Sequence, residues 1–85
     1  MNSINRADEL AFKLPESYLL IQKCDYGYNY NFYDRDFSLL CSGIVSSSYN
    51  IQEAVNEACK IEGRTLLMAN PYDCDSLREK VTEKS

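Results

Sequence analysis

Residues Tyr26–Phe37, YGYNYNFYDRDF, hold four of the seven tyrosines and two of the three phenylalanines in this 85-residue chain. On an extended backbone, one side of the segment carries Tyr28, Tyr30 and Phe32, and the other carries Asn29, Asn31 and Tyr33. This period of two is typical of a half-buried β-strand, and aromatic residues favour the pleated surface of a sheet. Asp34, Arg35 and Asp36 then supply turn residues. The segment therefore predicts the first strand and the turn of a β-hairpin.

Two further strands flank this segment. Tyr18–Cys24, YLLIQKC, is rich in strand formers and carries apolar residues on both faces, which is typical of a central strand. Asp25–Gly27 supplies the turn that follows it. Beyond the hairpin turn, Phe37–Val45 resumes the alternation, and Gly43 is expected to lie at a bulge or a bend. The three strands together predict an antiparallel meander.

The clearest helix follows the meander. Asn50 and Glu53 resemble a capping box with Asn in place of the usual Ser or Thr. The apolar stripe of the helix consists of Ile51, Ala54, Val55, Ala58 and Ile61. Since such a stripe must pack against another element to be stable, we expect it to cover the sheet face that carries Tyr28, Tyr30 and Phe32.

The remaining segments predict two more helices and a fourth strand. Ser3–Leu14 has apolar residues at a spacing of three and four and ends before a proline, which predicts a helix. Thr65–Ala69 is apolar enough for a short strand, and Asn70-Pro71 predicts the start of a third helix. The predicted fold class is α+β: a three- to four-stranded, mainly antiparallel sheet with helices packed on one face. We expect one small domain over residues 1–85.

The charge balance bears on possible partners. Thirteen acidic residues against nine basic ones give a net charge of −4, and no basic cluster of three or more residues occurs. Because nucleic-acid affinity comes largely from Lys and Arg neutralising phosphates, direct nucleic-acid binding is disfavoured. An acidic surface favours a protein partner with a basic surface. No apolar run is long enough for a membrane span, and MNSINRADEL lacks a signal segment, so we expect a cytoplasmic protein.

Catalytic and metal-binding patterns are missing from the sequence. It contains no histidine, no glycine-rich phosphate loop and no C-x-x-C spacing among its four cysteines. The pairs Asp34 with Asp36 and Asp73 with Asp75 fall where turns and helix starts already favour aspartate. These observations predict a protein that is not an enzyme and that binds no cofactor or metal, with cysteines that serve as small core residues.

Residues Gly27–Gly63, GYNYNFYDRDFSLLCSGIVSSSYNIQEAVNEACKIEG, resemble a small domain that recurs within large polyvalent proteins of bacterial phages and conjugative elements. The shared pattern is an aromatic strand closing in Tyr33-Asp34, a charged turn, a second strand ending near Gly43, and the segment IQEA opening a helix. This chain has Ser42-Gly43 where such domains often carry paired glycines. The resemblance implies an origin on a mobile element, among proteins that support invasion or counter host defence inside the bacterial cell.

Our leading hypothesis is a non-enzymatic protein-binding module from a mobile genetic element. Its more specific form is an anti-defence inhibitor of the anti-CRISPR type, which occupies the basic surface of a nuclease or another host-defence protein. Tyrosines beyond those that a small core needs would serve as interface anchors, because they bring large contact area at low entropic cost. The predicted partner-binding residues are Tyr26, Asn29, Asn31, Tyr33, Arg35 and Asp36.

Two alternative functions stay open. A single-strand nucleic-acid binder would use Tyr28, Tyr30 and Phe32 as a stacking platform, with Lys23 and Arg35 as the only nearby cations. A self-associating structural protein would pair the hairpin or a sheet edge with a second copy, which gives a homodimer.

Overall fold

Over the residues that the structure describes, the chain forms an α+β fold of five strands and two helices. The computed structural model describes residues 9–46 and 50–84. The elements in chain order are β1 (Glu9–Lys13), β2 (Tyr18–Cys24), β3 (Gly27–Tyr33), β4 (Leu39–Val45), α1 (Ile51–Ile61), β5 (Asn70–Tyr72) and α2 (Cys74–Lys84). The strands form one antiparallel sheet in the order β4-β3-β2-β1-β5. The predicted class is confirmed, with five strands in place of three or four.

The predicted meander is also confirmed. β2, β3 and β4 are consecutive neighbours, and their register places Ile21, Tyr30 and Gly43 side by side across the three strands. The ladder between β3 and β4 shifts by one residue at Leu40, so the bulge lies there. The bulge or bend expected at Gly43 is therefore wrong, and this glycine lies within a paired strand.

α1 packs on one face of the sheet, as predicted. Its cap is confirmed, because the Asn50 side-chain oxygen accepts a hydrogen bond from the Glu53 backbone N–H at 2.8 Å. The buried cluster on this face brings together Tyr28, Tyr30 and Phe32 of β3 with Ala54, Val55 and Ala58 of α1. Alanine side chains let a helix approach a sheet closely, and Phe32 is accordingly 0% exposed.

The helix predicted for Ser3–Leu14 is wrong over the residues that the structure describes. Glu9–Lys13 forms β1, which pairs with β2 on one side and with β5 on the other. The beginning of the predicted helix, residues 3–8, lies outside the described residues. Leu10 and Phe12 face α1 and Ala11 faces the opposite side of the sheet. So short an apolar run does not distinguish a helix from a strand, and pairing with two neighbours favours the strand.

The segment after α1 also differs from the prediction. Thr65–Ala69 is an irregular segment with a turn in place of a strand, and Asn70-Pro71 lies in the edge strand β5. Proline is tolerated there because an edge strand leaves some of its N–H groups outside the ladder. α2 begins at Cys74, and Asp73 caps it by accepting a hydrogen bond from the Ser76 N–H at 2.9 Å. The third predicted helix exists, but it starts later than Asn70-Pro71 suggested.

α2 packs on the second face of the sheet, so the prediction that all helices share one face is wrong. The buried cluster on this face consists of Ala11, Leu20, Tyr33, Cys74 and Leu77. Tyr33 was expected to be exposed to a partner, yet only 6% of its surface is accessible. The periodicity of β3 placed Tyr33 on the correct face, but that face is covered by a helix of its own.

Alanine substitutions test this two-sided burial of β3. We expect both Phe32→Ala and Tyr33→Ala to lower the free energy of unfolding by about 3 to 5 kcal/mol, because each removes a large buried ring. A domain this small has roughly 5 kcal/mol of stability, so either variant should be largely unfolded. Chemical denaturation followed by circular dichroism measures the change.

The control for both variants is Tyr26→Ala. Tyr26 is 76% exposed, so its removal should change stability by less than about 0.5 kcal/mol. A Tyr33→Ala variant that is as stable as Tyr26→Ala would contradict the packing of α2 on the second face.

Candidate functional site

The structure distributes the predicted partner-binding residues over separate places. Tyr26 is exposed in the turn before β3, and Arg35 and Asp36 are exposed in the loop after it. β3 is 7 residues long, so its two ends lie roughly 20 Å apart. Asn29 and Asn31 lie between these ends on the second face and are half-buried. Tyr33, the sixth predicted residue, is buried under α2. The predicted set therefore does not form one continuous surface.

The two asparagines line a groove of about 320 Å³. We call it the open groove, and its lining consists of Asn29, Tyr30, Asn31, Ser42, Gly43 and Ile44. It is open because α2 packs mainly against β1. In the order of the strands, β1 is separated from β3 by β2, so α2 does not extend over β3 and β4 at this position. The lining contains no Asp, Glu, Lys or Arg. The groove therefore offers amide, hydroxyl and apolar groups but no formal charge.

One polar atom of the groove lacks a partner. Asn29 Oδ1 is buried and accepts no hydrogen bond from any described residue. Its neighbours in the register are Gln22 on β2 and Ile44 on β4. The Gln22 amide already donates to Glu9 Oε2 at 2.8 Å, and the Ile44 side chain has no donor. A buried carbonyl oxygen without a donor costs about 1 to 3 kcal/mol, so a bound donor would be stabilised here.

Glu9 of β1 connects α2 to the second face of the sheet, next to this groove. The side chain is buried, and its carboxylate accepts the hydrogen bond from Gln22 and forms an ion pair with Arg78 of α2. Arg78 also pairs with Asp75 one turn earlier on the same helix. A buried carboxylate requires such partners. The network attaches α2 to the sheet, and within it the Gln22 amide donates to Glu9.

β4 borders the open groove and forms one edge of the sheet. Its sequence, LLCSGIV, contains no charged residue and no proline, and Leu39, Leu40 and Ile44 are 58%, 45% and 53% exposed. Edge strands carry unpaired N–H and C=O groups, and proteins usually protect them with charges, proline or short length. The opposite edge, β5, is 3 residues long and contains Pro71. Of the two edges, β4 has neither a charged residue nor a proline, and its protection is limited to the bulge at Leu40.

On the α1 face of the sheet, Tyr30 packs over β4 and contacts the end of α1. The Tyr30 hydroxyl donates a hydrogen bond to Glu62 Oε2 at 2.7 Å, at the C-terminal end of α1. Burial, and then this hydrogen bond, raise the pKa of Tyr30 to about 12. A Cβ atom at Gly43 would lie 2.5 Å from the Tyr30 hydroxyl oxygen. Gly43 is therefore required for the Tyr30 ring to cross β4 and reach Glu62.

The surroundings of the two cysteines near this contact favour the protonated thiol over the thiolate. Burial raises the pKa of the Cys41 and Cys59 thiols, and a hydrogen bond with Glu62 raises that of Cys41 further. A protonated thiol is a poor nucleophile. Within residues 9–46 and 50–84, no group of three or more Cys, Asp or Glu side chains is placed to hold a metal ion. In the same part of the chain, neither helix is long and apolar enough to cross a membrane.

The family comparison extends over nearly the whole chain. A family model described as large polyvalent protein-associated domain 16 matches residues 5–84. The match includes both helices and all five strands, and it confirms the resemblance seen in Gly27–Gly63. No curated protein and no solved structure matches the chain.

A Tyr30→Phe substitution tests the contact with Glu62. Because folding raises this pKa, the protonated phenol stabilises the fold; its contribution is complete below about pH 10 and is lost as the pH rises towards 12. Between pH 9 and pH 11.5, we expect the free energy of unfolding of the wild-type chain to fall by up to about 2 kcal/mol more than that of Tyr30→Phe. Denaturant titrations at several pH values measure the difference, with Tyr26→Phe as the exposed control. Equal losses in the wild-type chain and Tyr30→Phe would contradict the contact.

Proposed function

The chain belongs to the large polyvalent protein-associated domain 16 family, and we propose that it is a non-enzymatic protein-binding module. Its binding surface is the open groove together with the edge of β4. The observation that carries the proposal is the exposure of Leu39, Leu40 and Ile44 on an edge strand without charge. Exposed apolar side chains beside polar groups that can form hydrogen bonds are typical of protein interfaces.

The geometry supports a binding mode in which a partner adds a strand to the sheet. An extended segment can form main-chain hydrogen bonds with the free edge of β4, while its alternate side chains contact Leu40 and Ile44 on the second face. A donor on the partner would also satisfy the Asn29 carbonyl oxygen in the neighbouring groove. Main-chain pairing provides affinity, and the groove provides selectivity among partner side chains.

The partner that we propose is a nuclease or another host-defence protein with a basic surface. A net charge of −4 favours encounter with such a surface and disfavours acidic ones. The family resemblance to proteins of mobile elements supports the same class of partner. In its most specific form, the module is an anti-defence inhibitor of the anti-CRISPR type that acts in the bacterial cytoplasm by occupying the partner's surface.

Single-strand nucleic-acid binding has less support. Tyr28, Tyr30 and Phe32, which would form the stacking platform, lie under α1 and are therefore not accessible to bases. The open groove has no Lys or Arg in its lining, whereas single-strand binding requires a cationic track for the phosphates.

A pair of arginine substitutions tests the proposed surface. Asn31 lies in the middle of the open groove, and Gln52 is exposed on α1, on the other face of the sheet. We expect Asn31→Arg to reduce capture of a bound partner at least tenfold, or about 1.4 kcal/mol, because the new side chain fills the groove. Gln52→Arg adds the same charge and volume elsewhere and should leave capture unchanged.

The measurement compares the immobilised wild-type chain with both variants. Each is incubated with lysate from bacteria that express a CRISPR nuclease, and captured proteins are quantified by mass spectrometry. Circular dichroism verifies that both variants fold. A partner that binds the wild-type chain and Gln52→Arg but not Asn31→Arg supports the proposal. A partner that binds all three equally, or none at micromolar bait, contradicts it.

A further inference from the structure

The exposed side chains of β4 are arranged symmetrically. From the bulge at Leu40 onwards, the exposed side chains of Leu40, Ser42 and Ile44 alternate along β4, with one exposed apolar residue on each side of an exposed serine. Antiparallel pairing of two identical strands has two-fold symmetry, so each residue before the axis faces its counterpart after the axis. An axis at Ser42 places Leu40 of each copy opposite Ile44 of the other, on the same face of the sheet.

The two neighbouring registers do not pair Leu40 with Ile44. An axis at Cys41 places Leu40 opposite Ser42. An axis at Gly43 places Ser42 opposite Ile44. In both registers an exposed apolar side chain faces a hydroxyl group, whereas the axis at Ser42 pairs apolar side chains with each other. The sequence of β4 thus favours one self-pairing over its alternatives.

We propose that the strand that occupies the edge of β4 is β4 of a second copy of this chain, in the register centred on Ser42. This inference rests on the proposed function of the surface and narrows it: the edge of β4 pairs with the second copy, and the host-defence partner then binds at the open groove and not at the edge. Two copies that each carry a net charge of −4 repel one another in general. β4 contains no charged side chain, so the pairing brings no like charges of the two strands together.

The pairing has consequences for both faces of the sheet. It joins the two five-stranded sheets into one continuous sheet. On the α1 face, Cys41 of each copy lies opposite Gly43 of the other, where the Tyr30 ring covers the glycine. On the second face, the two open grooves become neighbours across the axis. The dimer then presents a doubled groove that suits a two-fold symmetric protein, or two identical segments of one partner.

The dimer should be weak but measurable. A single pair of short strands buries less than the roughly 1,200 Å² of a standard stable interface, which is typical of weak, transient association. Sedimentation equilibrium of the wild-type chain from about 5 to 500 µM should therefore show the mass rising from 9.8 kDa towards twice that value.

Charge substitutions test the register directly. In the proposed pairing, Leu40→Glu or Ile44→Lys alone places two charges against apolar side chains, and each should raise the dissociation constant at least tenfold. A mixture of the two variants should form a heterodimer. In that heterodimer, the new carboxylate at position 40 faces the new ammonium group at position 44, and the other contact keeps the original Ile44 and Leu40. Its dissociation constant should lie within about threefold of the wild-type value.

Matched controls change other exposed apolar residues in the same way. Leu67 and Met68 are 85% and 67% exposed, in the segment between α1 and β5. Leu67→Glu and Met68→Lys should leave the wild-type association unchanged. Hydrogen exchange of the unmodified chain provides a second measurement that does not depend on how the variants fold. Protection of β4 amides, but not of β5 amides, should increase with protein concentration.

Each outcome bears on the inference. Loss of association in both single variants and its recovery in the mixture supports the register at Ser42. A wild-type chain that stays at 9.8 kDa with concentration-independent exchange overturns the dimer, and association that is insensitive to both substitutions overturns the interface. A monomer that still captures its partner through Asn31 would retain the proposed function while the dimer fails. A dimer that captures no partner would support the self-pairing of β4 and contradict the proposed function.

Discussion

Burial of β3 on both faces is the constraint on which the rest of the structure depends. Phe32 packs under α1 and the adjacent Tyr33 packs under α2, so two neighbouring residues belong to two separate hydrophobic clusters. A strand with both faces covered needs a helix on each side of the sheet. Because Glu9 and Arg78 attach α2 near β1, the second helix does not cover the whole second face. The open groove is what remains uncovered between the β3 and β4 strands.

Local patterns in the sequence were sufficient to predict the centre of the fold. The alternation of aromatic residues in β3 predicted the face that meets α1, and Asn50 with Glu53 predicted the start of that helix through a hydrogen bond within the segment. These features depend on residues close together in the chain. The loop after β3 is similar, since Asp34 Oδ1 accepts hydrogen bonds from the N–H groups of Asp36 and Ser38.

The candidate surface was harder to predict because it depends on distant pairing. β1 pairs with the free side of β2 and β5 pairs with β1, so the sheet extends away from β4, which stays an edge. The alternation of Leu40, Ser42 and Ile44 resembles the alternation of a buried strand, so hydrophobicity alone did not identify it as exposed. Asn29 and Asn31 were predicted correctly to lie away from α1, but Tyr33 on the same side is covered by α2. Periodicity assigns a residue to a face, whereas exposure of that face is decided by the packing of other elements.

Gly43 connects the stability of the edge to its capacity for binding. A glycine within an edge strand normally weakens it, because it has no side chain to pack and more backbone freedom. Here the Tyr30 ring occupies the space that a side chain at this position would fill, and its hydroxyl is fixed by Glu62 at the end of α1. Aromatic cover of a glycine on a neighbouring strand restores order to an edge. β4 is thus held in strand geometry before anything binds to it, and an edge ordered in advance loses less conformational entropy when another strand is added.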